Sequence, residues 1–155
     1  MADAKPDLIA RLQMAFGPDR DLDGMVAVAT TATRRTDDDM IYARERDRKG
    51  GDATHPGHYF MVSRSGASAR TAAFFTKSVD DALTLIPDGC DWLIGKGQTR
   101  PDEPPFGIQV FPPGSGRMVA TPAPLSEGEH PDLAIAICIA ALQARAAIAK
   151  ATGAA

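Results

Sequence analysis

Apolar residues recur at helical spacing near the start of the chain. Leu8, Ile9, Leu12, Ala15 and Phe16 share one stripe, which predicts a helix over about 6–16, with Pro6 in its first turn and Gly17-Pro18 ending it. A second stripe, Leu22, Met25, Val26 and Ala29, predicts a second helix, with Asp19 as N-cap and Asp21 and Asp23 in the first turns, where unpaired amides favour carboxylates. The two form a helical hairpin. From Thr31 to Ala72 this periodicity gives way to polar and charged residues, broken only by two short β-prone runs at Met40 to Ala43 and His58 to Ser63. Helical spacing returns at Ser78, which can cap a helix whose buried stripe is Val79, Ala82, Leu83 and Ile86. Asp81 stands where a capping-box carboxylate reaches back, and Pro87 is the stop.

After the turn Pro87-Asp88-Gly89, the run Cys90 to Gly95 reads as a strand, and Phe106 to Phe111 as another. A third is expected around Arg117 to Thr121, the Gly- and Pro-rich pieces between them serving as hairpin connections. The chain closes with a helix from Pro131 to about Thr152, with Asp132 in its first turn. Its Leu133 to Leu142 stretch is apolar on every face, as in a helix buried against a sheet, and is short of the roughly 20 residues a bilayer demands. The elements predict an α+β fold with a small antiparallel sheet of about three to four strands, an N-terminal helical hairpin and a long C-terminal helix. All 155 residues are read as a single domain carrying a polar excursion at about 31–72.

Charge narrows the partners. The net charge is −3, with eight basic against six acidic residues between Thr31 and Ala72 and four against nine between Ala73 and Asp132. No strong basic field emerges, which disfavours nucleic acid. The hairpin could be a helix-turn-helix, but from Asp19 to Thr30 Arg20 is the only basic residue and no Asn, Gln or Lys is present to read base edges. Cys90 and Cys138 read as reduced structural thiols. The polar start, Met1 to Asp7, lacks the pattern of a secretory signal, and the expected location is the cytoplasm of a bacterial host.

Candidate chemistry is sparse. His55 and His58, with Asp52 or Asp37 to Asp39, could share a metal, but zinc sites take four ligands at disciplined spacing and neither cysteine is near in sequence. Ser63, Ser65 and Ser68 have no nucleophile elbow around them, and the glycines do not form a phosphate-cradling loop. His130 reads as a helix-entry residue. No catalytic, metal or cofactor residue is assigned and no cofactor is expected. The sign-alternating run Arg44-Glu45-Arg46-Asp47-Arg48-Lys49 reads either as solvated surface or as a recognition loop, which makes Arg44, Arg46, Arg48, Lys49 and Tyr59 the candidate partner-binding residues.

Three segments together resemble the phage ABA-sandwich domain, a family of small phage and prophage proteins. They are Gly17-Pro18-Asp19-Arg20-Asp21-Leu22-Asp23, then Thr76-Lys77-Ser78-Val79-Asp80-Asp81-Ala82-Leu83-Thr84-Leu85-Ile86-Pro87-Asp88-Gly89, then His130-Pro131 through Ala134 with Cys138, Ala140-Ala141-Leu142 and Arg145. The resemblance implies α/β/α layers, a sheet sandwiched by helices, and brings no catalytic residue. The chain departs from the family in having Cys90 where an aromatic residue is usual, and in the length of its polar stretch. The expected function is non-enzymatic protein–protein interaction, one partner class being a host defence or regulatory factor. The alternatives are a structural or self-assembling phage component, such as a homodimer through the sheet or the last helix, and a metal-binding or hydrolytic protein using His55 and His58.

Overall fold

The computed structural model describes residues 4–31, 40–44, 59–63, 69–71, 73–96, 100–117 and 122–153. Helix α1 (Ala4–Gln13) buries Leu8 and Leu12 as its stripe requires. It stops at Gln13, so Phe16, expected on that stripe, no longer follows the helical period and is fully exposed. Helix α2 (Arg20–Thr31) begins where expected: the Asp19 carboxylate accepts from the amides of Asp21 at 2.7 Å and Leu22 at 3.2 Å. Leu22, Val26 and Ala27 are buried beneath it.

The short helix α3 (Val79–Leu83) is capped by Ser78, whose hydroxyl accepts from the Asp81 amide at 3.2 Å. The Asp81 carboxylate does not complete a capping box. The Ser78 amide is already spent on the Phe74 carbonyl at 2.7 Å, and Asp81 instead accepts from the Phe74 amide at 3.0 Å. Helix α4 (Leu133–Ala151) starts one residue after Asp132, which is its N-cap rather than part of its first turn, accepting from the Ala134 amide at 3.0 Å.

Strands β1 (Met40–Arg44), β2 (Tyr59–Ser63) and β3 (Ala69–Thr71) form one antiparallel sheet in that order, and α2 packs against β1 and β2. The first two strands lie where the β-prone runs placed them, within a residue; β3, only three residues long, has no pattern to announce it. The second antiparallel sheet is β4 (Asp91–Lys96), β5 (Phe106–Phe111) and β6 (Ser126–His130). Its third strand is not at Arg117 to Thr121: Arg117 closes a 3₁₀ turn (Ser115–Arg117), and 118–121 lie outside the described residues. Ser126–His130 is low in β-propensity, yet it alternates strictly, with Ser126, Gly128 and His130 buried and Glu127 and Glu129 exposed.

On one face of the β4–β6 sheet, α4 covers β5 and β6. Ala134 through Leu142 are all buried, and Ile135, Ile137 and Ile139 are each worth about 1.5–3 kcal/mol of burial. Helix α4 packs so closely on β6 that only glycine fits at position 128, where an added Cβ would collide with Ala136 O and lie 2.9 Å from Ala140 N. Helices α1 and α3 pack on α4. The layers around this sheet run sheet, α4, then α1 and α3, within the α+β fold that the elements predicted. At 19 residues, α4 also has the length and apolarity of a membrane span, contrary to the shorter stretch read from sequence, but 56% of that span is buried inside the fold.

Candidate functional site

The pleat assigns faces to the second sheet. Trp92, Ile94 and Lys96 share the α4 side with Val110, Ile108 and Phe106, their register partners, and with Ser126, Gly128 and His130. Leu93, Gly95, Gly107, Gln109, Glu127 and Glu129 face the other way. Gly95 and Gly107 are directly opposed, and the nearest atoms to an added Cβ there are 4.0 Å and 3.9 Å away, so the missing side chains leave a groove rather than relieve a clash.

That groove opens into two adjoining hollows. One, of about 190 Å³, is lined by Leu93, Gln109, Glu127 and Glu129 over the two glycines. The other, of about 430 Å³, is bounded by Lys96, Glu103, Pro104, Phe106 and Glu129. Leu93 is 59% exposed on this face, Glu127 accepts from Gln109 Nε2 at 2.6 Å, and the Lys96 ammonium stands 5.9 Å from the Phe106 ring. The surface is apolar at β4 and acidic at β6. Shallow and open, with its side chains in water, it offers contact area rather than a dry reaction chamber.

The buried polar groups serve the fold. The Asp23 carboxylate, 1% exposed, accepts from Arg20 at 2.7 Å, from the Thr76 amide at 2.7 Å and from the Thr76 hydroxyl at 2.8 Å. The Thr76 hydroxyl in turn accepts from the Asp19 amide at 2.8 Å, and Arg20 stacks 4.1 Å from the Phe74 ring. This network pins the strand-to-helix segment before α3 onto the start of α2. His130 ends β6 rather than entering the helix. The Asp132 amide can only donate, so Nδ1 accepts from it at 2.9 Å, and Nε2 carries the proton to the Ala15 carbonyl at 2.8 Å.

Neither thiol is set up as a nucleophile. Burial, then the charges of Asp23 and Asp132, pushes the Cys138 thiol far up, and its Sγ donates to Phe75 O. Burial, then Asp91, raises Cys90 as well. Both cysteines are free, as expected.

Of the residues singled out from sequence, Arg44 and Tyr59 are brought together as directly opposed partners at the end of the β1–β2 pair. Arg46, Arg48 and Lys49 lie outside the described residues, as do His55 and His58, and Ser65 and Ser68; Ser63 ends β2. Among the described residues no three His, Cys, Asp or Glu side chains converge as a metal site would require. The outer face of the β4–β6 sheet was missed. The signal for it lay in the alternation Ser-Glu-Gly-Glu-His, which marks a strand with two carboxylates on one face, and in two glycines placed for cross-strand opposition.

Comparison of the chain with protein-family models, with curated proteins and with solved structures finds no match.

Proposed function

We infer that the chain is a non-enzymatic binding protein of phage or prophage origin, working in the bacterial cytoplasm by docking a host protein onto the outer face of its β4–β6 sheet. The observation that carries this reading is the exposed Leu93 beside a glycine-floored groove rimmed by Glu127 and Glu129, on a sheet whose other face is covered by α4 over β5 and β6. An apolar anchor within a polar rim is the anatomy of a protein-binding patch. The phage origin rests on the motif resemblance, and its motif residues Asp19, Ser78 and Asp132 act as helix caps in the fold. The pairing of Arg44 with Tyr59 supports a second contact region at the β1–β2 end.

The test is affinity capture from bacterial extract with three baits: the native chain, the double variant Glu127→Lys/Glu129→Lys, and a deletion of Asp37 to Gly51. The reading expects a partner held by the native chain and lost from the charge-reversed sheet. A partner retained by all three baits, or captured only through an enzymatic turnover of substrate, contradicts it.

A further inference from the structure

Strand β4 lies at the edge of its sheet, with β5 on one side and no strand on the other among the described residues. Natural sheets blunt such edges with charge, proline or a bulge, because the outward N–H and C=O groups of an edge are a template for another strand. Strand β4 has no such device in its middle: Trp92-Leu93-Ile94-Gly95 is uncharged, and Trp92 and Leu93 are 46% and 59% exposed. Edge strand β6, by contrast, carries Glu127 and Glu129. We propose that the β4 edge is a self-association site at which two copies of this chain join antiparallel, with their three-stranded sheets fused into one of six strands.

Complementarity selects the second copy as the occupant. Antiparallel neighbours oppose residues of the same face, so a twofold axis perpendicular to the sheet must pass through a β4 residue. With the axis at Ile94, Leu93 of one copy meets Gly95 of the other on the outer face, large against small. On the α4 side, Trp92 of one copy meets Lys96 of the other, cation against indole. Each contact occurs twice by symmetry. The pairing is isologous and consumes the apolar β4 edge of this sheet, so assembly through it closes at two, and it doubles the outer face available to a hetero-partner. It goes beyond the binding function above and does not depend on it.

Trp92, the only tryptophan in the chain, reports the event. Sedimentation equilibrium and tryptophan emission of the full chain are followed together against concentration; a monomer–dimer transition accompanied by a blue shift is expected, at a dissociation constant on the order of micromolar for so small an interface. Trp92→Lys and Lys96→Glu should each weaken dimerisation about tenfold, since each removes two cation–π contacts worth roughly two- to fivefold apiece. The combined variant Trp92→Lys/Lys96→Glu should restore sedimentation to within about threefold of the native constant, by setting opposite charges across the same register. Both side chains are exposed, so far-UV circular dichroism should stay unchanged in all variants. A monomer up to about 1 mM, a polymer larger than a dimer, insensitivity to either single change, or failure of the double variant to restore pairing would each overturn the proposal. None of these outcomes bears on capture of a host partner by Glu127 and Glu129.

Discussion

Glycine 128 separates the covered face of the sheet from the open one. A Cβ there would overlap Ala136 O, lie 2.9 Å from Ala140 N and lie 3.0 Å from Ala140 Cβ, all of them on α4 and two of them backbone atoms that no rotamer change can move. Ordinary contact begins near 3.4 Å, so α4 would have to back off β6 by half an ångström or more. Ten buried residues of that helix would lose contact at once, from Ala134 to Ala144. Overpacking of a core usually costs about 1–3 kcal/mol, and the backbone origin of this clash places Gly128→Ala at or above about 3 kcal/mol. For a chain of this size that is a fall of about 6–12 °C in Tm. Gly95→Ala, on the open face of the same sheet, meets nothing nearer than 4.0 Å and should be neutral or stabilising by up to about 1 kcal/mol, because alanine loses less freedom than glycine in a strand. Urea unfolding followed by circular dichroism measures both. Gly128→Ala within about 1 kcal/mol of the native chain, or Gly95→Ala equally damaging, would refute the assignment of faces.

Asp23→Ala should cost about 3–5 kcal/mol by leaving Arg20 and Thr76 without their shared acceptor, and a double-mutant cycle with Thr76→Val should be strongly non-additive, since the two residues exchange two of those bonds. Ser78→Ala and Asp132→Ala should each destabilise by about 1 kcal/mol through loss of a helix cap, read as parallel shifts in urea midpoint. Thiol labelling of the native protein should modify Cys90 and spare Cys138 until the chain unfolds. The pKa of Cys138 is raised by folding, so its contribution is intact below its ordinary value of 9.0 and is lost as pH rises above it. Stability should then fall by up to about 1.4 kcal/mol per pH unit more steeply than in Cys138→Ala.

Strong local signals were legible in the chain itself. Asp19 and Ser78 open helices through bonds that span only a few residues, and the apolar run Leu133 to Leu142 could only be core, whereas α3 ends at Leu83, before the stop expected at Pro87. Features decided by distant neighbours were not. Asp23 reads as a solvated first-turn carboxylate until Thr76, fifty-three residues away, is placed against it. Phe16 fits a helical stripe by count and escapes it because the helix ends early. Strand β6 has small and charged residues because α4 lies almost on its backbone, so packing overrides propensity and hides the strand from a composition-based reading. The same misplacement hid the candidate site, since Glu127 and Glu129 share a face with Leu93 only once β6 is paired beside β5.

The claim that the protein acts through the open face of this sheet is met most directly by thiol footprinting in a Cys90→Ser background. Glu127→Cys, on the outer face, and Ser126→Cys, its neighbour beneath α4, are labelled in buffer and again in bacterial extract. The account predicts fast labelling at position 127 in buffer, slowed at least about tenfold in extract as a partner covers it, and slow labelling at position 126 in both. Equal rates at the two positions in buffer, or a rate at 127 that extract leaves unchanged, would contradict it.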